Sequence, residues 1–381
     1  MPKTTEKSFE KSSEKATEQT VERTPDKSAE KVAVVLFNLG GPDRPDSVRP
    51  FLFNLFHDPA IIRIPQPFRW LLAQLISRQR APIAREIYDH LGGGSPLVPN
   101  TQAQIEALEQ DLNNKTGTRF RGFMCMRYWH PRADATASHV AAWEPDRIIL
   151  LPLYPQFSST TSASSLREWH KMARIHGLEA IPSQTVCCYP HEDGFIHALT
   201  DLMRQARATM PADAPLRVLF SAHGLPESII KDGDPYQWQC EQTAQTIAQA
   251  AGIDDNQWVL CYQSRVGPKK WIEPSTEDEI QRASRDGVAL MVVPIAFVSD
   301  HSETLVELDI EYKELAENSG IKDYVRVPVV GIHPDFIAGL GHLVRRALEA
   351  MNQGAYKTAP GGTDKTRLCP REWSNCPCRP G

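Results

Sequence analysis

The sequence predicts an α/β protein made of two similar doubly wound domains, each with a parallel sheet, and a cleft between them. Continuous apolar runs alternate with helical stretches, a pattern typical of parallel sheets covered by helices on both faces. The first run, V-A-V-V-L-F-N-L-G-G-P, occupies 32–42 and resembles a buried strand that ends in a loop. Similar runs lie at 147–154, 216–222, 257–262 and 288–298.

Similarity between segments of the two halves of the chain supports the two-domain prediction. F-N-L-G-G-P at 37–42 resembles F-S-A-H-G-L-P at 220–226, and the segment 151–166 resembles 293–308 in the same order. A boundary near 180–190 explains both pairs. In doubly wound sheets ligands bind beyond the carboxyl ends of the strands, so the polar loops after these runs should face one crevice.

The chain divides into four predicted segments. Residues 1–31 alternate lysine and glutamate with little apolar bulk, which predicts a disordered extension. The other segments are an N-terminal domain at 32–185, a C-terminal domain at 186–350, and a linker with a cysteine-rich tail at 351–381.

Composition narrows the class of protein. The 381 residues are 41% hydrophobic and 23% charged, as in soluble globular proteins. The formal net charge is -5, so the chain lacks the excess of positive charge that binds a polyanion. Nucleic acid is therefore not an expected partner. The sequence has neither the apolar stretch of a membrane-spanning helix nor that of a secretory signal. These features predict a cytoplasmic protein.

Five acidic residues crowd the stretch S-D-H-S-E-T-L-V-E-L-D-I-E-Y at 299–312. On a helix, Glu303, Glu307 and Glu311 would line one face, with Asp300 and His301 just before them. Divalent cations favour carboxylate and imidazole ligands, so this face is a candidate cation path. A solvated helix face is the alternative interpretation.

His223 follows a predicted buried strand and precedes a glycine. Such a histidine can be a structural hydrogen-bonding residue, but an ordinary pKa near 6.5 also suits proton transfer or metal binding. If the two domains face each other, His223 and Glu303 should meet across the cleft. That pair suits insertion of a metal into a ligand that must lose protons.

Residues 51–76 are rich in Phe, Trp, Leu and Ile, and prolines at 59, 65 and 67 interrupt them. Core helices can share this composition. The prolines favour instead an apolar lip that receives a hydrophobic ligand and contacts the surface of a membrane.

An ordered set of motifs resembles the ferrochelatase family, in its bacterial type with a C-terminal cysteine cluster. The motifs are F-N-L-G-G-P, L-G-G-G-S-P, M-R-Y-W-H-P, L-Y-P-Q-F-S-S-T-T-S-A-S-S-L, F-S-A-H-G-L-P, G-D-P-Y, Y-Q-S-R-V-G-P and the acidic stretch, within 34–312. The resemblance implies two Rossmann-like domains of the class II chelatase type. It also implies insertion of ferrous iron into protoporphyrin IX, which yields protohaem at the end of haem biosynthesis.

Three alternatives stay open beside this reading. The chain could act on another tetrapyrrole such as coproporphyrin, insert cobalt, or bind haem or iron without turnover.

The resemblance assigns roles to individual residues. It makes His223 and Glu303 the catalytic pair, and extends the iron path through Asp300, His301, Glu307 and Glu311. The porphyrin-binding residues that it implies are Leu39, Arg127, Tyr128 and Phe297.

Three cysteines in the tail, Cys369, Cys376 and Cys378, have the spacing C-x6-C-x-C. They could be idle thiols. Some members of the family hold a [2Fe–2S] cluster with three such cysteines and one internal cysteine, and four thiolates are the usual requirement. In animal members the internal ligand follows Y-P-Q, where this chain has Ser159. Cys187 or Cys188 is the expected substitute, with Cys187 preferred.

Overall fold

The computed structural model describes residues 29–114, 117–353 and 368–378. The predicted disorder of the N-terminal extension falls on residues 1–28, which lie outside the described residues, as does most of the predicted linker. The first strand already begins at Lys31.

The N-terminal half is built on one parallel four-stranded sheet, in the order β2-β1-β3-β4. Its strands are β1 (Lys31–Asn38), β2 (Arg119–Met126), β3 (Arg147–Pro152) and β4 (Ser183–Thr185). Its helices are α1 (Val48–Phe56), α2 (Phe68–Asp89), α3 (Leu97–Asn113), α4 (Ala133–Trp143) and α5 (Ser162–Ile175). The central strand β1 is almost wholly buried, as expected for a strand covered on both faces.

The C-terminal half repeats this plan, with a parallel sheet in the order β6-β5-β7-β8. Its strands are β5 (Leu216–His223), β6 (Trp258–Gln263), β7 (Ala289–Pro294) and β8 (Tyr324–Arg326). Its helices are α6 (Asp193–Arg207), α7 (Glu227–Lys231), α8 (Tyr236–Ala251), α9 (Thr276–Asp286), α10 (Ser302–Leu305), α11 (Tyr312–Asn318) and α12 (Pro334–Asn352). The matching strand orders confirm the predicted pair of similar α/β domains.

One apolar cluster joins the two halves. It contains Leu36 of β1, Leu108 of α3, Phe220 of β5 and Phe336 of α12. Full burial of each such side chain contributes about 1.5–3 kcal/mol. Helix α12 also reaches back to the first half, where Arg345 pairs with Asp111 of α3 at 2.8 Å. The halves are therefore held in one orientation, and the exact domain boundary stays a prediction.

Two loops at the edge of the first sheet approach closely because they are rich in glycine. Gly40 has φ 81°, and a Cβ there would lie 3.0 Å from the backbone nitrogen of Trp129. A Cβ on Gly41 would lie 2.5 Å from Ser95. This contact packs the loop after β1 against the L-G-G-G-S-P loop.

None of the helices that the structure describes is long and apolar enough to cross a membrane.

Candidate active site

His223 and Glu303 lie together where the strands of the second sheet end. His223 is the last residue of β5, and Glu303 lies in α10, which follows the loop after β7. Nε2 of His223 is 3.6 Å from Oε1 of Glu303. Both side chains are partly exposed.

The backbone around His223 fixes the orientation of its ring. Nδ1 lies 2.6 Å from the carbonyl oxygen of Gly224. Because a carbonyl oxygen only accepts hydrogen bonds, this contact places a proton on Nδ1. In the neutral ring Nε2, the atom that faces Glu303, is then unprotonated. The hydroxyl of Tyr236 donates to the carbonyl oxygen of His223 at 3.1 Å and holds this end of the strand.

Glu303 contacts a second histidine. Its Oε2 is 3.3 Å from Nε2 of His301. Burial alone would raise the pKa of Glu303, but the charge of His223 and the hydrogen bond and charge of His301 outweigh it and lower that pKa to about 2. The Glu303 side chain is therefore a carboxylate at neutral pH.

The acidic stretch is not a continuous α-helix. After α10, residues Glu307–Glu311 form a π-helix, in which the backbone N–H of Glu311 donates to the carbonyl of Val306 at 3.0 Å. π-Helical turns occur frequently at functional sites. In this turn Glu307 is directed inward, whereas Glu311 is exposed. The three glutamates thus have different environments.

Glu307 is held by four donors. Its carboxylate accepts from Nε2 of Gln263 at 2.9 Å, from the backbone and hydroxyl of Ser264 at 2.7 Å and 2.5 Å, and from the Tyr312 hydroxyl at 3.0 Å. Burial and the charge of Glu303 nonetheless raise the pKa of Glu307 above its ordinary value. Glu303 and Glu307 are therefore neighbouring carboxylates whose pKa values are shifted in opposite directions.

Asp300 is paired with an arginine that sequence reasoning missed. Nη1 of Arg326 lies 3.0 Å from Oδ1 of Asp300, and the same guanidinium binds both oxygens of Asp309 at 2.7 Å and 2.6 Å. Asp300 also accepts from the Thr304 hydroxyl at 2.9 Å. Arg326 is in the short strand β8, 17 positions after Asp309 and 26 after Asp300, so no local pattern signalled this pairing.

Arg127 and Tyr128 converge on Asp58, which sequence reasoning also missed. Nη2 of Arg127 and the Tyr128 hydroxyl each lie 2.8 Å from Oδ2 of Asp58, and Ser164 donates to the same oxygen. Burial would raise the pKa of Asp58, but the charge of Arg127 and the hydrogen bonds lower it below the usual range. Tyr128 is only 1% exposed. This network anchors the 51–76 segment to the first sheet.

The two expected apolar porphyrin contacts lie in different places. Leu39 packs against a cluster that includes Val48, Phe51 and Tyr128. The ring of Phe297 lies 4.8 Å from that of His301, beside the Glu303 site.

Helix α2 presents an exposed apolar face formed by Phe68, Leu71, Leu75 and Ile83, and Trp70 is exposed beside it. Five of its large apolar side chains are between 46% and 66% exposed: Phe68, Trp70, Leu71, Leu75 and Ile83. Three arginines on the same helix, Arg78, Arg80 and Arg85, are also exposed. The predicted lip is therefore partly a single helix of 22 residues.

The tail cysteines lie against Cys187. Cys187, Cys369, Cys376 and Cys378 form one buried cluster with Phe157, and Cys188 packs at its side. Hydrogen bonds from the thiols of Cys187, Cys369 and Cys378 lower the pKa of Cys376 below that of an ordinary thiol. Nε2 of Gln239 donates to Cys369 at 3.1 Å and to Cys188 at 3.4 Å.

The buried cysteines provide the number of thiols that a [2Fe–2S] cluster uses. Within the described residues, no group of three or more His, Cys, Asp and Glu side chains could hold a metal ion as it stands. A [2Fe–2S] cluster needs four thiolates shared between two irons, and four buried cysteines converge here.

The tail is docked on the loop before α8. Asn375 donates its backbone N–H to the carbonyl of Gly233 and its side-chain amide to that of Asp232, both at 3.0 Å. A Cβ on Gly233, which has φ 97°, would lie 3.0 Å from the backbone nitrogen of Ser374. The Asp232 carboxylate pairs with Arg63 at 2.5 Å, so one loop contacts both the tail and the 51–76 segment.

The fold is similar to that of a solved chelatase. The sirohydrochlorin chelatase SirB from Bacillus subtilis subspecies spizizenii, solved in complex with cobalt, matches with a TM-score of 0.51 at 10% identity. The match covers 85% of this chain and 97% of that chain, and at this identity it concerns the fold alone. Both proteins therefore share a fold of two parallel α/β domains.

Sequence comparisons give the family. The ferrochelatase family model matches residues 31–348. The ferrochelatase of Caulobacter vibrioides is 51% identical to this chain, over 92% of this chain and 98% of the relative. That of Pelagibacter ubique is 46% identical to this chain, over 91% of this chain and 98% of the relative. The chain belongs to the ferrochelatase family. The predicted activity, insertion of ferrous iron into protoporphyrin in haem biosynthesis, is confirmed at this level.

Proposed function

We propose that His223 accepts the protons that protoporphyrin IX loses, and that Glu303 with His301 receives the ferrous iron. The observation that carries this proposal is the 3.6 Å approach of His223 Nε2 to a carboxylate with a pKa of about 2. The contact of Nδ1 with Gly224 leaves Nε2 as the basic atom in the neutral ring.

The chemistry follows from the charges of these groups. Two porphyrin nitrogens each release a proton as the iron(II) ion binds, so two protons leave for each ion that enters. Nε2 of His223 can take one proton at a time, and the imidazolium is then stabilised by the Glu303 carboxylate. A carboxylate beside an imidazole is also a suitable ligand pair for a divalent cation.

The inner part of the iron path would contain Glu303 and Glu307, with Glu311 as its outer, exposed member. Asp300 stays in this proposal as a flanking group whose charge Arg326 balances. Arg127, Tyr128, Leu39 and Phe297 would bind the porphyrin, with Arg127 and Tyr128 also fixed by Asp58.

The test is an anaerobic assay of the full chain with ferrous iron and either protoporphyrin IX or coproporphyrin. Formation of protohaem, with faster turnover of protoporphyrin, is the expected result. Preference for coproporphyrin, or for cobalt over iron, would replace the substrate assignment. Porphyrin binding without metalloporphyrin formation would indicate a carrier and overturn the proposal.

We also propose that Cys187, Cys369, Cys376 and Cys378 hold a [2Fe–2S] cluster. Burial of four thiols together supports Cys187 over Cys188 as the internal ligand. When bound, the cluster would supply a redox-active group that also cross-links the tail to the body of the protein. The metal insertion proposed above does not require it.

A peripheral membrane contact through residues 51–76, continued along α2, is the third part of the proposal. The exposed apolar side chains of α2 and its exposed arginines suit a surface of anionic lipid. A cytoplasmic location is compatible with this contact and stays a prediction.

A further inference from the structure

Gln104 of α3 is buried between the two halves of the chain and is only 1% exposed. Its Nε2 donates to the carbonyl oxygen of Val298 at 2.8 Å and to that of Gly331 at 3.0 Å. Its Oε1 accepts from the Ser299 hydroxyl at 2.9 Å. Although α3 packs on the first sheet, all three bonds reach the second half.

The contacted loop leads directly to the reactive residues. Val298 and Ser299 follow β7 and immediately precede Asp300, His301 and Glu303. Asn100, one turn before Gln104 on α3, donates its side-chain amide to the carbonyl of Asp300 at 3.2 Å. Helix α3 therefore binds three consecutive loop residues, 298–300.

We propose that Gln104 is a positioning residue for iron insertion, which fixes this loop and thereby sets where Glu303 and His301 lie relative to His223. The inference rests on the roles of those residues in the proposed function. It follows from geometry: Gln104 touches neither reactant site, but its amide ties the loop to a helix that does not belong to the second sheet. Displacing a reacting group by 1 Å can reduce a rate by up to about a hundredfold.

A purely structural role would be the alternative, because any buried amide that satisfies backbone carbonyls contributes to stability. Gln156 provides a matched comparison. It is 2% exposed, and its Nε2 also joins the halves, with bonds of 3.1 Å to Thr243 and to the carbonyl of Ile295. These two hydrogen bonds of Gln156 reach only Ile295 and Thr243, outside the loop 298–300.

The experiment compares Gln104→Met with Gln156→Met, since methionine keeps the length of the side chain and removes the amide. Melting temperature, the stoichiometry of protoporphyrin binding and kcat per binding-competent molecule are measured for the full chain. We expect both variants to melt earlier. Only Gln104→Met should lower kcat, by about tenfold or more, with the porphyrin Kd within about twofold of the parent. Equal kcat losses in both variants, or none in Gln104→Met, would overturn the inference.

If Gln104→Met does not fold, Ser299→Ala tests the same contact. This substitution removes only a single hydroxyl. We expect it to lower kcat by about threefold and to add little to Gln104→Met in the double variant, since contacting residues are coupled. Unchanged kcat in Ser299→Ala would contradict the inference. Glu303→Gln distinguishes failure of the proposed function from failure of the positioning role. If this variant turns over normally, the proposed function fails. If it is inactive while Gln104→Met and Ser299→Ala are unaffected, the positioning role alone fails.

Discussion

The Glu307 carboxylate accepts the backbone N–H of Ser264 at 2.7 Å and holds this serine with φ 61°, in the left-handed region. Residues other than glycine rarely adopt that conformation. Glu307 therefore stabilises a loop as well as lying on the candidate iron path. The three glutamates of the acidic stretch are consequently not equivalent, and their substitution should have different effects.

His223→Ala should abolish iron insertion and leave porphyrin binding largely intact. Loss of a general base typically lowers a rate by about 10²–10⁴-fold. Anaerobic formation of protohaem and quenching of porphyrin fluorescence measure the two properties separately. Near-normal turnover in this variant would remove His223 from the mechanism.

Glu303→Gln should reduce turnover strongly, whereas Glu311→Gln should mainly raise the iron concentration needed for half-maximal rate. Glu303 lies 3.6 Å from His223, whereas Glu311 is exposed and about two turns further along. Initial rates over a series of ferrous iron concentrations distinguish these outcomes. Equal losses at both positions, with an unchanged dependence on iron, would reject a graded path.

The opposite pKa shifts of Glu303 and Glu307 predict opposite dependences of stability on pH. The pKa of Glu303 is lowered to about 2, so its carboxylate stabilises the fold above its unfolded pKa of about 4.3. This contribution disappears as the pH falls through about 2. Glu303→Gln should therefore lower the free energy of unfolding by about 1–3 kcal/mol at pH 7, with a difference that shrinks towards pH 2.

Glu307→Gln is the comparison for this effect. Because the pKa of Glu307 is raised, its ionised form opposes folding above the unfolded pKa. The amide nitrogen of a glutamine cannot accept from two of the four donors, so this substitution also removes hydrogen bonds. Because the carboxylate of the parent is least favourable at high pH, the loss of stability should grow, not shrink, as the pH falls. Denaturant unfolding at several pH values measures both variants. Destabilisation that changes with pH in the same direction for both substitutions would contradict the assignment of opposite shifts.

Much of the fold could be predicted because its central strands are continuous apolar runs. β1, β3, β5, β6 and β7 all lie in or overlap the predicted runs. β2 was not predicted, since Arg119 and Arg121 interrupt it at the edge of its sheet. β4 and β8 contain only three residues each, too few for a recognisable period.

The sequence predicts only those residues of the candidate site that follow an apolar run or belong to a recognisable motif. His223 follows a buried strand, and Glu303 lies in a dense acidic stretch. Asp58 and Gln104 act through contacts with residues 69 to 227 positions away. Arg326 lies in a short strand with no pattern of its own. Long-range pairing of this kind leaves no signal in local spacing.

The apolar face of α2 predicts binding to membranes. Trp70→Ser and Leu71→Ser should each weaken co-sedimentation with vesicles of mixed neutral and anionic lipid, because each removes an exposed apolar side chain. Added salt should weaken the binding further by screening Arg78, Arg80 and Arg85. Ile175→Ser is the matched control, since Ile175 is 65% exposed but lies on α5. Equal effects of all three substitutions, or no binding by the parent protein, would refute the membrane contact.

The cysteine cluster predicts a visible chromophore. The protein is purified without oxygen and with iron supplied. Cys369→Ser, Cys376→Ser and Cys378→Ser should then each bleach the visible absorbance, because each removes a thiolate ligand. Cys187→Ser should do the same, whereas Cys188→Ser should retain most of the colour.

Cys125→Ser provides the control, because Cys125 is buried in β2, away from the tail. Loss of the cluster should lower the melting temperature and increase proteolysis of the tail, whose docking on Asp232 and Gly233 would lose its cross-link. Iron insertion should change less, because His223 lies on a different loop. Bleaching by Cys188→Ser but not by Cys187→Ser would exchange the internal ligand. A colourless, iron-free parent protein would refute the cluster and leave the assignment of His223 and Glu303 untouched.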